Sequence, residues 1–192
     1  TGNQVYVSTD TIAWTARTVA NNGAVQINDL VYNTNAASTE KYLAAINSAN
    51  GRIATSTDSI IWIFRTTGTT SITNRIGWNA TNSLYLLAGA SGYLSVSTDL
   101  LTWTLRTSGI TNTIYAADFS GPIPFVCAQN NDNIRTSTDT ITWINRPCGS
   151  GGAAMYSALY TPSGGDTAYM VVTQGGFTRS GLFLSLIHIS EP

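Results

Sequence analysis

One phrase recurs along this chain and limits what it can become. Ser8-Thr9-Asp10 is followed by Trp14 and Arg17, and Ser56-Thr57-Asp58 by Trp62 and Arg65. Ser97-Thr98-Asp99 is followed by Trp103 and Arg106, and Ser137-Thr138-Asp139 by Trp143 and Arg146. In every copy the Trp stands four residues after the Asp, and the Arg three after the Trp. The serines are 48, 41 and 40 residues apart. A fixed period of this length marks a supersecondary unit that cannot bury its own faces and must stack on its neighbours.

The unit extends upstream of the phrase. Tyr42-Leu43-Ala44-Ala45 matches Tyr85-Leu86-Leu87-Ala88 and Phe125-Val126-Cys127-Ala128, apolar runs of strand length. Each is followed by a turn at Gly51, Gly92 or Asp132, then by a short alternating segment around Ile53, Leu94 or Ile134 that ends at the Ser. Before each apolar run lies another strand, near Val31-Tyr32, Ile76-Gly77-Trp78, Ile114-Tyr115-Ala116 and Met155-Tyr156-Ser157. The last strand of the unit is expected to carry the Trp and the Arg. A degenerate further copy runs through Tyr169-Met170-Val171-Val172, Gly175, Phe177 and Ser180.

Four short antiparallel strands per forty-odd residues describe the blade of a β-propeller. The expected fold is therefore all-β, a tandem array of four-stranded antiparallel blades, incomplete and amounting to about four blades' worth. The expected boundaries are a half blade at 3–18, blades at 27–66, 72–107 and 113–147, and a partial blade at 153–183. Two closures are open: further blades outside this sequence, which is favoured, or a four-bladed ring in which the first half blade completes the last.

Residues 184–192 read Leu-Ser-Leu-Ile-His-Ile-Ser-Glu-Pro and resemble the in-frame translation of a transposase-type sequencing adapter. They are expected to be a non-native tail and are left out of the fold reasoning. The only histidine, His188, goes with them, and without Glu191 the acidic and basic residues balance at nine each. With that tail and with Thr1 at the other end, the sequence is expected to be an internal fragment of a longer protein.

Charge excludes some partners. Only 10% of residues are charged, with no block of one sign, whereas a nucleic-acid surface needs clustered Lys and Arg. No apolar run approaches the roughly twenty residues of a membrane-spanning helix. Cys127 and Cys148 read as two unpaired thiols. A disulfide between them stays open, and they fit no metal-ligand spacing. No metal or cofactor is expected.

Ser-x-Asp with a nearby Trp in each repeat resembles the Asp-box, or BNR, repeat of sialidase-like β-propellers, known from viral tail-associated and secreted proteins. The resemblance spans nearly all of residues 3–180. The usual Asp-box has a Gly after the Asp and places its aromatic one residue further on. In this shortened variant the Gly is read as replaced by Ile12, Ile60, Leu100 and Ile141. The resemblance implies the propeller fold and an extracellular or virion-associated setting. It leaves function open among enzymes, lectin-like binders, sorting receptors and assembly factors.

The repeated residues are explained without a ligand. Ser and Asp oxygens accept hydrogen bonds from backbone N–H groups in a sharp turn. Trp14, Trp62, Trp103 and Trp143 offer large apolar faces for the space between blades. Arg17, Arg65, Arg106 and Arg146 are expected to neutralise the nearby Asp or to stack on an aromatic ring. A cation at each turn is the alternative, but one carboxylate is far short of the roughly six oxygens calcium takes. The four arginines occupy the same place in successive repeats, so they do not converge into a catalytic cluster. Beyond the motif, Asp29, Glu40, Asp118, Asp132 and Asp166 form no recognisable catalytic carboxylate pair.

These readings favour a non-catalytic module that binds or displays something: a glycan, a receptor or a structural partner. A fragment of a sialidase-like glycoside hydrolase and a purely architectural spacer are the alternatives. Ligand contacts are sought where the repeat is broken: residues 33–41, residues 74–82 with Arg75 and Trp78, and residues 118–124 with Phe119. Asn79-Ala80-Thr81 is an acceptor triplet for N-glycosylation of the kind chance supplies in a chain rich in Asn and Thr.

Overall fold

The computed structural model describes residues 3–19, 25–48, 50–128, 133–147, 153–163 and 166–174. A two-stranded pair comes first, β1 (Gln4–Val7) with β2 (Thr15–Thr18). Three four-stranded antiparallel sheets follow. The first holds β3 (Gln26–Tyr32), β4 (Tyr42–Asn47), β5 (Arg52–Ser56) and β6 (Ile63–Thr66). Next come β7 (Thr73–Asn79), β8 (Leu84–Gly89), β9 (Leu94–Ser97) and β10 (Thr104–Leu105), with a short 3-10 turn at Ala90–Gly92. The third is β11 (Ile114–Asp118), β12 (Phe125–Ala128), β13 (Asn133–Thr136) and β14 (Ile144–Pro147). A further pair, β15 (Ala154–Ser163) and β16 (Asp166–Gln174), is the last among the described residues. Each sheet is a simple meander, its strands lying side by side in chain order. The first strands pack in succession, β3 on β7, β7 on β11, and β11 on β15. The degenerate copy's Gly175, Phe177 and Ser180, the turn residue Asp132, Cys148 and residues 184–192 lie outside the described residues, as does the side chain of Cys127.

The apolar second strands explain the stacking. In a strand, neighbouring side chains point to opposite faces. Leu43 and Ala45 therefore enter one core, with Ile53, Ile76, Tyr85 and Leu87. Ala44 enters another from the opposite face of β4, with Ile46, Val5, Val19 and Ala54. In β8, Tyr85 and Leu87 face the core shared with β4, while Leu86 and Ala88 face a third core with Val96, Ile114 and Val126. A strand buried on both faces reads as a continuous apolar run rather than an alternation, as these do. Each such Leu or Ile contributes roughly 1.5–3 kcal/mol of burial.

Between the third and fourth strands, one carboxylate oxygen organises the turn. Asp10 Oδ1 accepts from the Ser8 hydroxyl and from the N–H groups of Ile12 and Ala13, each at 2.9 Å. Asp58 Oδ1 does the same with Ser56, Ile60 and Ile61. Asp99 Oδ1 takes Ser97, Leu101 and Thr102, and Asp139 Oδ1 takes Ser137, Ile141 and Thr142. The residue directly after the Asp adopts left-handed backbone: Thr11 (φ 63), Ser59 (φ 64), Leu100 (φ 64) and Thr140 (φ 61). The residues with this glycine-favouring backbone are thus Thr11, Ser59, Leu100 and Thr140, whereas Ile12, Ile60 and Ile141, grouped with Leu100 in the sequence reading, stand one residue further on and are exposed. L-residues resist this conformation by roughly 1–2 kcal/mol, and the hydrogen bonds to the Ser and Asp oxygens hold it in place.

The Trp lies just before the fourth strand rather than within it. Trp62, Trp103 and Trp143 each pack against the core between their own sheet and the one before. Trp14 is 59% exposed, since the described residues include no earlier sheet to cover it.

Of the two roles expected for the arginines, pairing with the motif Asp is not seen among the described residues. Arg65 instead pairs with Glu40 at 2.7 Å, and its Nε–H donates to the Thr55 hydroxyl. Arg146 Nε–H donates to Thr136. Where Val7 and Val96 replace that Thr, the Nε–H groups of Arg17 and Arg106 are buried without an acceptor.

Two consequences are measurable. Gly68 (φ +74) has open space around its Cα, whereas a Cβ on Gly92 (φ +69) would strike the Ile110 carbonyl. Gly92→Ala should therefore cost about 1–3 kcal/mol more than Gly68→Ala in urea unfolding. Equal losses would contradict this packing.

Hydrogen bonds from the backbone N–H groups at Asp+3 and Asp+2 hold all four turn carboxyls below their ordinary value, Asp139 from 3.8 to about 2. As pH falls, the unfolded chain takes up these protons first. The turns' contribution is thus complete above the ordinary carboxylate range and is lost as pH falls from about 4 toward 2. Melting temperature should drop across that window, and the combined change Asp10→Asn, Asp58→Asn, Asp99→Asn and Asp139→Asn should flatten the drop. An unchanged acid limb in that variant would refute the assignment.

Candidate functional site

Every described first strand breaks its register at the same place. The irregularity lies between Ile27 and Asp29 in β3, Thr73 and Arg75 in β7, Ile114 and Ala116 in β11, and Met155 and Ser157 in β15. A bulge of this kind adds a residue and re-aims its side chain. The extra residues are Asn28, Asn74, Tyr115 and Tyr156, and they link sheet to sheet. Asn28 Nδ2 donates to Thr73 O and Asn74 Oδ1, both at 2.9 Å. Asn74 Nδ2 donates to Ile114 O at 2.9 Å, and the Tyr115 and Tyr156 rings stack at 6.2 Å.

Arg75 knits this line together. Its Nη1 donates to Asn28 O and Asn74 O, and its Nη2 to Tyr156 O at 3.0 Å. One guanidinium thus joins β3, β7 and β15. Two carboxylates staple first strands as well: Asp29 Oδ2 on β3 accepts from Ile76 N–H of β7 at 3.0 Å, and Asp118 Oδ2 on β11 from Tyr160 N–H of β15 at 2.7 Å. Burial raises the Asp29 carboxyl above its ordinary value, opposed by the Ile76 N–H and by the charge of Arg75.

Above this line the first strands enclose an open concavity of about 480 Å³. Its walls include Asn28, Tyr32, Arg75, Trp78, Asp118 and Ser157. The three residues nominated from the repeat-breaking loops all come to it, in different ways. Arg75 is partly exposed and engaged by three carbonyls. Trp78 is half-buried, its ring 4.7 Å from Tyr85, so packing occupies much of its surface. Phe119 is only 4% exposed and belongs to the core with Leu86, Ile114 and Val126, which corrects its nomination as a ligand contact. Gly77 makes room for it, since a Cβ there would sit 3.1 Å from the Phe119 ring.

Sequence reasoning passed over Tyr32. It is 64% exposed at the mouth of the concavity, its ring edge-on to Tyr42 at 5.8 Å. The loop at 33–41 is tied down rather than open: Asn33 and Asn35 both donate to the Tyr85 hydroxyl. Asn79 is fully buried and donates to Phe119 O and Gly121 O, so the folded chain does not offer it for glycosylation. Among the described residues no group of three His, Cys, Asp or Glu side chains is placed to hold a metal ion, and no helix is long and apolar enough to cross a membrane.

Replacing Arg75 by Ala removes ties to three carbonyls and should cost about 2 kcal/mol of stability in urea unfolding, with Lys recovering only part. A neutral substitution would show that the first strands hold their places without it.

No family model and no curated protein matches the chain. Solved structures do. One described as YCF48 bound to D1 peptide has a TM-score of 0.66 at 15% identity, with 90% of this chain and 55% of that chain covered. YCF48 from Cyanidioschyzon merolae has a TM-score of 0.64 at 17% identity, covering 88% of this chain and 58% of its own. The WD40 β-propeller domain of Doa1 has a TM-score of 0.53 at 13% identity, covering 77% and 51%. The chain thus spans between half and three fifths of the length of these structures, and at such identities the likeness is one of fold: an all-β array of propeller blades.

Proposed function

We propose that this chain is part of a non-catalytic β-propeller that binds or displays a partner at the concavity between its first strands. The observation carrying this reading is the composition of that concavity. An exposed Tyr32, a half-buried Trp78, the amide of Asn28 and the Ser157 hydroxyl face a space of ordinary ligand size. The carboxylates there, Asp29 and Asp118, have both oxygens engaged by backbone N–H or hydroxyl groups, a stapling role rather than a paired acid and base. A propeller described with a bound peptide is among the similar folds, which makes an extended peptide one candidate beside a glycan or a receptor surface.

The same reading treats the repeat as a shortened Asp-box. Its support is the Ser–Asp pair, the left-handed residue after the Asp and the Trp that follows. An extracellular or virion-associated setting is part of this proposal.

Glycan and peptide arrays probed with the folded chain test it. Reproducible binding that Tyr32→Ala abolishes, with an unchanged melting temperature, is the expected result. Turnover of fluorogenic glycosides would overturn the non-catalytic reading, and an absence of binding across both arrays would favour a spacer.

A further inference from the structure

The strand-3 to strand-4 turns carry a second repeated feature, apart from the residues that line the concavity. Two residues after each motif Asp the side chain is aliphatic and exposed: Ile12 at 85%, Ile60 at 52%, Leu101 at 59% and Ile141 at 62%. An exposed large aliphatic at one place is unremarkable, but the same exposure at the same position in four successive repeats is a built row. Asp10, Asp58, Asp99 and Asp139 stand beside these side chains, and all four are exposed. Their backbone hydrogen bonds fall on Oδ1, leaving Oδ2 outside the backbone network.

The turns share one face of the array. The first turn and the second line a common groove through Ser8, Trp14, Ser59 and Trp62, and the third approaches the 33–41 loop through Thr98 to Leu101. Of the cations near this face, Arg65 pairs with Glu40, while Lys41 donates to Ser38 O at 2.8 Å and keeps its charge. The motif arginines stand three residues beyond the Trp, about 10 Å along the outer strand. Turn by turn, the face therefore presents an exposed aliphatic side chain beside a carboxylate that, among the described residues, no cation pairs with, an arrangement that disfavours nucleic acid and anionic lipid.

We propose that this turn face is a docking surface for a protein segment that alternates cationic and apolar side chains, laid along the row so that apolar groups meet the aliphatics and cations meet the carboxylates. The charge complementarity selects the occupant, and the one-per-sheet repetition makes its engagement multivalent.

Fluorescence anisotropy with two labelled synthetic peptides, an Arg-Leu-Gly-Ser repeat and an Arg-Ser-Gly-Ser repeat of equal length, tests this. The wild-type chain should bind the leucine peptide about tenfold more tightly than the leucine-free one, and less tightly as salt rises. The set Asp10→Asn, Asp58→Asn, Asp99→Asn and Asp139→Asn keeps an acceptor at Oδ1 and removes the charge. The set Ile12→Ser, Ile60→Ser, Leu101→Ser and Ile141→Ser changes only exposed side chains. Each set should weaken the leucine peptide about tenfold or more. Leu105→Ser, an exposed aliphatic on the outer strand β10, should leave binding unchanged. Equal affinity for the two peptides, no binding of either, or binding that survives the serine set would overturn the proposal. The serine set decides the matter should the asparagine set fail to fold.

Discussion

The two-sided burial of the second strands comes before everything else in this architecture. Leu43 and Ala45 lie in one core while Ala44 and Ile46 lie in the next, and Tyr85 to Ala88 repeat the arrangement one sheet on. A strand placed in this way cannot be satisfied by its own sheet. It needs a sheet on either side, and the array follows from that need. The outer strands contribute less burial, and β10 is only two residues long with both side chains exposed. What keeps them in register is polar: the Asp oxygen in the preceding turn, which gathers a hydroxyl and two backbone N–H groups.

Stacking leaves the first strands to face one another around a common space. Their bulges turn Asn28, Asn74, Tyr115 and Tyr156 toward the adjoining sheets, and Arg75 ties three of these strands together. A polar line of this kind serves two ends. It satisfies backbone groups that a bulge leaves without ladder partners, and it builds a wettable floor for the concavity above. The apolar cores supply cohesion without direction, while the polar contacts fix which strand meets which.

Much of this was readable from the residues. The period of the Ser-Thr-Asp phrase located the sheets, and apolar runs such as Tyr42-Leu43-Ala44-Ala45 marked the strands that need two partners. What escaped the sequence depends on distances in space. The bulge at Asn28 breaks an alternation by a single residue, which Gln26-Ile27-Asn28-Asp29 does not advertise. Arg65 found Glu40 rather than Asp58, because a loop from the start of its own sheet brings that carboxylate to its guanidinium. Phe119 is core rather than ligand contact because Gly77, on the preceding sheet, makes room for its ring. Tyr32 stands four residues after its bulge, as Trp78 and Phe119 do after theirs, and the sequence does not tell which of the three aromatics stays exposed.

The dependence of the array on its second strands is open to direct measurement by amide hydrogen exchange under native conditions. The amides of Leu43 to Ile46 and Leu86 to Ala88 should exchange most slowly, opening only when neighbouring sheets separate. Those of Ile63 to Thr66 and of Thr104 and Leu105 should exchange much faster. Outer strands protected as well as or better than the second strands would contradict the account.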